Sequence, residues 1–141
     1  IGDVNSVLKS KKIVAGGGAI EFELVKQLIE FSKTFIGKEQ LIIEAYAKSF
    51  LVIPKVLCEN SGFDEIDTIS ELTSLHEKGK SKSGLNCFSG VVNDTLKVKI
   101  VEPINVKSQA IKSATEISSM ILRIDDVIAA KQIKEKLDSD I

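Results

Sequence analysis

The spacing of apolar residues predicts helices along most of the chain. Val4, Val7 and Leu8 repeat at helical intervals, and the charged residues 9–12 suit the end of that helix. A wider apolar stripe over residues 19–35 predicts a second, longer helix, which begins directly after three consecutive glycines.

The same periodicity continues over residues 39–60 and then over a further helix that ends near Gly79. Pro54 lies inside the first of these stretches, so we expect a kink or a break just before it. Gly62 suits the end of that stretch, and Asp64 suits the cap of the helix that follows.

The pattern changes after residue 80. Residues 85–88 and 95–101 are predicted to be two short strands, with a turn at residues 89–90 between them. Pro103 suits the first position of a further helix, and residues 124–130 are predicted to be extended. The chain is therefore predicted to be mainly α with a small β element. The apolar stripe of the helix that follows Pro103 consists of Val106, Ala110, Ala114, Ile117 and Ile121. The small residues of that helix predict close packing against another helix; they are Ala110, Ser113, Ala114 and Ser118.

Composition places these elements in one ordinary domain with an aliphatic core. The chain has 141 residues, of which 43% are hydrophobic and 5% aromatic, with no Trp. The net charge of -1 and the mixing of both signs favour neither a nucleic-acid nor a membrane surface. Cys58 and Cys87 are too few for a disulfide framework, which favours a reducing compartment, and His76 has no metal-ligand company in the sequence.

The chain opens on Ile1 rather than Met, without the basic and apolar regions of a signal peptide. We expect it to be part of a longer protein.

Three glycines, Gly16, Gly17 and Gly18, stand between an apolar strand-like stretch and a helix start. Unpaired N–H groups at such a start bind anions, and glycine lets a phosphate approach closely. No Gly-Lys-Ser/Thr follows, and Glu21 and Phe22 occupy the region where a dinucleotide fingerprint needs a later Gly. The local sequence alone favours the other interpretation, a tight turn before a helix.

Two other acidic features, the Asp125 and Asp126 pair and Glu102, could suggest a catalytic or metal-binding role. For each of them a purely structural explanation is at least as good. Asp125 and Asp126 are adjacent, so they point to different faces and do not readily share one ion. Glu102 precedes Pro103 at a predicted helix start, where a carboxylate is stabilised by the helix dipole.

Residues 14–21, VAGGGAIE, resemble a signature of the group II chaperonins, the archaeal thermosome and the eukaryotic cytosolic chaperonin. The resemblance continues in order over nearly the whole chain, and the ordered series is far more specific than any single motif. The further matching segments are residues 37–41, 44–47, 52–54, 57–64, 76–79, 84–86, 101–103, 106–107, 109–110, 113–116 and 121–128.

This resemblance implies a mainly α fold, the helical C-terminal half of a chaperonin equatorial domain with a small β hairpin and a short C-terminal strand. Residues 1–14 would end an intermediate-domain helix, and residues 15–130 would form the equatorial part. Residues 131–141 would be a charged, disordered tail. In the family the stretch at Asp125 and Asp126 belongs to the C-terminal strand, which makes these two residues structural rather than catalytic.

The resemblance also implies an ATP or ADP site. Gly17 would contact the nucleotide, with Gly16 and Gly18 shaping the loop, and Glu102 would reach the ribose with Lys107 nearby. Gly84, Leu85 and Asn86 would lie near the adenine. Mg would be held by the family's phosphate loop, which this sequence lacks, so we assign no metal ligand and no catalytic residue here, and Asp3 is not given the role of the water-activating Asp.

The implied function is that of a fragment of an ATP-dependent, cytoplasmic protein-folding subunit, which would be inactive as an ATPase on its own. Its partners would be other subunits of a double ring and, for the intact subunit, unfolded proteins, with no nucleic acid and no membrane. The first alternative is a stand-alone helical assembly or interaction module without catalysis. The second, an unrelated glycine-loop nucleotide enzyme, requires the ordered match to be chance.

Overall fold

The computed structural model describes residues 2–125, which form six helices and four short strands. In chain order these are α1 Gly2–Ser10, β1 Ile13–Ala15, α2 Ala19–Ser32, α3 Lys38–Ser49, α4 Val52–Ser61, α5 Glu65–Glu77, β2 Ser83–Asn86, β3 Val91–Asp94, β4 Val101–Pro103 and α6 Ile104–Leu122. The predicted mainly α class with a small β hairpin is confirmed. The chain divides into two compact units, one ending at Ser108 and one beginning at Gln109.

Two predictions concern the end of the chain. Ile124 and Asp125 belong to no helix or strand. The rest of the extended segment predicted over residues 124–130, with Asp126, and the tail at residues 131–141 lie outside the described residues.

The break predicted before Pro54 is confirmed, because α3 ends at Ser49 and α4 begins at Val52. Pro54 is the third residue of α4, where a missing N–H costs no intrahelical hydrogen bond. Gly62 ends α4 in the left-handed region at φ 73°. The predicted cap of α5 is also confirmed, since the Asp64 side chain accepts a hydrogen bond from the N–H of Asp67.

The hairpin is formed by β2 and β3, which pair antiparallel in the register Ser83 to Asp94. The prediction of a strand over residues 95–101 was wrong, because residues 95–99 form turns. The Asp94 backbone and side-chain oxygens accept hydrogen bonds from the N–H of Lys97, and Lys99 has a φ of 62°. Lys97, Val98 and Lys99 alternate between polar and apolar as residues of a one-sided strand do, but all three lie in turns.

A second antiparallel pair, between β1 and β4, was not predicted. It sets Val14 opposite Glu102 and Ile13 opposite Pro103. Pro103 is thus the last residue of a strand, and α6 begins one residue later than predicted. This pairing matters for the site, because β1 leads into the three glycines and β4 leads into α6.

The core lies between α2, α5 and the hairpin. Phe22, Leu72 and Val92 form its buried centre, and partly buried apolar residues pack around them: Leu51, Ile69 and Leu75. Apolar residues of α1 and of the stripe predicted in α6 remain exposed, among them Val4, Leu8, Ile117 and Ile121. Cys58 is buried and Cys87 half-buried, and both are free thiols. In residues 2–125, no helix has the length and apolar character needed to cross a membrane.

Candidate functional site

The three glycines form the turn that joins β1 to α2. Gly17 and Gly18 have φ angles of 66° and 82°, in the left-handed region that glycine adopts without strain. Gly18 is the N-cap of α2, and a Cβ on it would press on Pro54 of α4. The tight turn before a helix, one of the two interpretations of the sequence, is therefore present.

The turn packs directly against β2. The N–H of Leu85 donates a hydrogen bond of 2.8 Å to the carbonyl oxygen of Gly17, and a Cβ on Gly17 would overlap the Leu85 carbonyl. A Cβ on Gly84 would overlap the carbonyl oxygen of Gly16 and meet Thr95 Cγ2 at 2.8 Å. Close contact between two backbone segments thus accounts for glycine at positions 17 and 84.

Gly16 lies beside the strand that carries Glu102. The N–H of Gly16 donates to the Ile100 carbonyl at 3.0 Å. Glu102 Oε1 lies 3.2 Å from the point where a Cβ on Gly16 would stand. Absence of a side chain at position 16 therefore leaves room for this carboxylate.

Two carboxylates share the ammonium of Lys107. Lys107 Nζ lies 2.8 Å from Glu102 Oε2 and 2.5 Å from Glu21 Oε1. The exposed fractions of the side chains are 33% for Glu102, 16% for Lys107 and 2% for Glu21, so the cluster runs from the surface into the interior. Burial opposes the charge on Lys107, but the hydrogen bonds to Glu102 and Glu21 outweigh it and raise the pKa of Lys107 above its ordinary value.

Sequence reasoning did not assign Glu21 to the site. It lies in the first turn of α2, three residues after Gly18, and it closes the VAGGGAIE run. An acid in the first turn of a helix is stabilised by the helix dipole, so its presence in the sequence needs no partner. The one available signal was the position of Glu21 within the VAGGGAIE run, close to the glycines. Its ion pair with Lys107 joins residues 86 positions apart, and no local pattern reveals such a pair.

The two backbone N–H groups at the start of α2 complete this corner. Within residues 2–125, nothing accepts a hydrogen bond from the N–H of Gly17 or Gly18. Such groups are the donors that a helix start offers to an anion.

Not every predicted site residue faces this corner. Leu85 is fully buried, so its backbone rather than its side chain meets the glycines. Asn86 is half-buried, and its Oδ1 accepts a hydrogen bond from the N–H of Phe88 within the hairpin turn. The structure brings together Gly16, Gly17, Gly84, Glu102 and Lys107. Gly18 contributes its backbone N–H and packs against α4, whereas Asn86 shapes the hairpin.

His76 fixes the segment that carries Gly84. It is buried, with Nε2 2.8 Å from the carbonyl oxygen of Ser83 and Nδ1 3.2 Å from Glu23 Oε2. Its ring stacks on Phe22 with centroids 5.4 Å apart. His76 thus links α5, which carries it, to α2 and β2.

The carboxylate of Glu23 gives this link a pH dependence. Burial alone would raise the pKa of Glu23, but hydrogen bonds from His76 and Gln27 outweigh it and hold the pKa below its ordinary value of 4.5. A lowered folded-state pKa contributes stability that is present above pH 4.5 and lost as the pH falls through the lowered value.

We therefore expect Glu23→Gln to cost about 1 kcal/mol of unfolding free energy at pH 7 and much less at pH 3. Urea denaturation at both pH values measures this difference. Glu71→Gln, at an exposed position in the middle of α5, is the matched control and should keep the pH profile of the wild-type protein. An equal loss at both pH values for Glu23→Gln would contradict the expectation.

Comparison with known proteins defines the class. The model of the TCP-1/cpn60 chaperonin family matches residues 1–132. The thermosome subunit of Methanocaldococcus jannaschii is 53% identical over 135 residues, which cover 95% of this chain and 25% of that protein. The thermosome subunit of Methanopyrus kandleri is 47% identical over 135 residues, covering 96% and 25%. The solved open-state monomer of a group II chaperonin from Methanococcoides burtonii matches with a TM-score of 0.78 and 46% identity, covering 80% of this chain and 28% of that one.

The resemblance to the chaperonins seen in the sequence is confirmed. The chain belongs to the TCP-1/cpn60 chaperonin family. It spans about a quarter of the length of the curated relatives it matches.

Proposed function

We propose that this chain is the part of an ATP-dependent protein-folding subunit that supplies the base and ribose side of a nucleotide site. The observation that supports this is one corner of the fold, where the glycine turn, Gly84, Glu102 and Lys107 meet. These residues come from four separate elements or turns, yet all belong to motifs that the family resemblance assigns to the nucleotide.

The chemistry of the corner fits a nucleotide. A ribose offers hydroxyl donors, and Glu102 Oε1 is a carboxylate oxygen that the Lys107 contact leaves available. The N–H groups of Gly17 and Gly18, in the same turn as Gly16, are donors without an acceptor among residues 2–125, and Lys107 carries a positive charge. ATP or ADP would bind here, with Mg held by the phosphate loop found elsewhere in the family's subunits.

The catalytic part of the proposed machine lies outside this chain. Phosphoryl transfer depends on positioning and on metal-assisted charge stabilisation around the phosphates. In the intact subunit, residues 1–14 would end the intermediate-domain helix and residues 15–130 would belong to the equatorial domain. Neighbouring ring subunits and unfolded proteins would be its partners, in the cytoplasm.

Binding and turnover measurements test this proposal. The pure 141-residue chain should bind ADP weakly and hydrolyse ATP at background rate. Addition of the N-terminal half of an equatorial domain, taken from the thermosome subunit of Methanocaldococcus jannaschii, should restore ADP binding. Mg-dependent turnover by the chain alone would contradict the placement of catalysis elsewhere, and failure of ADP to bind to the mixture, with both parts folded, would contradict the site.

A matched pair of variants locates the binding within the mixture. Glu102→Gln keeps the shape of the side chain but loses the charge, so it should weaken ADP binding about tenfold. Glu65→Gln alters an exposed ion pair with Lys55 on the α4 and α5 side and should leave the affinity unchanged.

A second candidate function is a non-catalytic helical module that binds other chains. The exposed apolar residues favour it, because α1 presents Val4 and Leu8 and α3 presents Leu41 and Ile42 without cover in the described part of the chain. A chain of this kind would form a stable complex with the N-terminal half whether or not ADP binds.

A further inference from the structure

Glu21 is a buried carboxylate that does not belong to the residues proposed to contact the nucleotide. Its side chain is 2% exposed, its Oε1 contacts Lys107, and its Oε2 is buried with no hydrogen-bond partner in the described structure. A buried acceptor left unpaired is costly, and such groups in native proteins call for an explanation. A glutamine or an apolar residue would fill this space at lower cost, so the negative charge is the property that needs a reason.

The reason lies in the geometry of Lys107. A lysine side chain is long and flexible, and a single contact would let its ammonium follow the Glu102 carboxylate wherever that moved. Here the ammonium has two anchors on different elements, Glu102 on β4 and Glu21 on the first turn of α2. Because α2 starts at the glycine turn, the Glu21 anchor fixes Lys107 relative to that turn.

Fixing Lys107 also fixes the Glu102 carboxylate. Oε2 of Glu102 is held by Lys107, whereas Oε1 lies beside Gly16 and the side chain is one-third exposed. One oxygen is thus used inside the protein, and the other has no ion pair in the described structure. Because the two carboxylate oxygens are chemically equivalent, what the Glu21 anchor fixes is the position of the Glu102 carboxylate relative to the glycine turn. Without that anchor, Lys107 and Glu102 could move together away from the turn.

We infer that Glu21 is a positioning residue for ribose recognition, which acts through Lys107 to hold Glu102 in the orientation that accepts a ribose hydroxyl. This inference rests on the proposed nucleotide site. Glu21 itself does not touch the ligand, since its carboxylate is buried beneath Lys107.

The test is the discrimination between ADP and 2′,3′-dideoxy-ADP, which lacks the ribose hydroxyls. It is measured by calorimetry on the complete protein expressed from its gene, as the dissociation constant of 2′,3′-dideoxy-ADP divided by that of ADP. Glu102→Gln should lower this ratio about tenfold and Glu21→Gln about fivefold, mostly through weaker ADP binding. A purely structural role for Glu21 would weaken both ligands alike and leave the ratio unchanged.

Three further variants complete the test. Glu21→Gln combined with Lys107→Met removes both buried charges, so it remains folded if the single variant does not. Because Glu21 acts through Lys107, this double variant should show the same ratio as Lys107→Met alone. Glu65→Gln is the control and should keep the ratio of the unvaried protein.

The possible outcomes distinguish a failure of the positioning role of Glu21 from a failure of the proposed nucleotide site. If the unvaried protein does not bind ADP, the proposed function fails and the inference fails with it. If ADP binds and Glu102→Gln lowers the ratio but Glu21→Gln does not, the site stands and the positioning role is overturned. If Glu102→Gln leaves the ratio unchanged, the ribose contact is wrong and the inference falls on that ground.

Discussion

Replacement of Lys107 by Met should lower the free energy of unfolding by about 3–5 kcal/mol, one of the two largest effects we expect in this chain. The substitution keeps most of the apolar stem and removes the ammonium. Glu21, 2% exposed, would then be a buried carboxylate with neither oxygen paired. The cost arises from this stranded charge and not from the loss of a favourable pair, because a buried ion pair contributes little net stability.

Urea denaturation at pH 7 measures the effect. The matched control is Glu65→Gln at the Lys55 to Glu65 pair, which is 2.9 Å long but has side chains 44% and 34% exposed. An exposed pair of this kind should contribute less than about 1 kcal/mol. A loss for Lys107→Met no larger than that of the control would contradict the buried-charge argument.

The double variant Glu21→Leu with Lys107→Met should be more stable than Lys107→Met alone by several kcal/mol, because no buried charge is then left unpaired. The pH profile gives an independent check. The raised pKa of Lys107 means that its contribution is fully present below pH 10.5 and is lost as the pH rises through the folded-state value. The Lys107→Met variant should lack this alkaline loss.

Local patterns were enough to predict the helical part of the fold. Helix starts and ends depend on nearby residues, and the break before Pro54, the cap at Asp64 and the stop at Gly62 all rest on contacts within a few positions. The strand predicted over residues 95–101 was wrong because alternation of polar and apolar side chains does not distinguish a strand from successive turns. This segment forms turns because the N–H of Lys97 donates hydrogen bonds to Asp94 and because the backbone of Lys99 has a left-handed φ.

The candidate site shows a different limit. The resemblance to chaperonins supplied Glu102 and Lys107, and the structure sets them in contact. Glu21 and His76 were not predicted to support the site, because their roles depend on partners far away in sequence. Glu21 meets Lys107 across 86 positions, and His76 meets Glu23 across 53. Pairings at such distances follow from tertiary packing, which periodicity and motif spacing do not contain.

The other large effect concerns the glycine turn, where we expect Gly17→Ala to lower the free energy of unfolding by about 2–5 kcal/mol. Two costs add at this position. A residue with a Cβ is disfavoured at a φ of 66° by about 1–2 kcal/mol. The Cβ would also overlap the Leu85 carbonyl, which cannot move away without breaking the hydrogen bond between Leu85 and Gly17, and overpacking of this kind costs about 1–3 kcal/mol.

Gly62→Ala separates these two costs. Gly62 has a φ of 73°, close to that of Gly17, but nothing lies within 4 Å of its added Cβ. It should therefore show the backbone cost alone, about 1–2 kcal/mol by urea denaturation. The difference between the two variants measures how tightly the glycine turn is pressed against β2. If Gly17→Ala cost no more than Gly62→Ala, the turn would be free to separate from Leu85, and the contact that brings Gly84 to the glycine turn would not hold the site together.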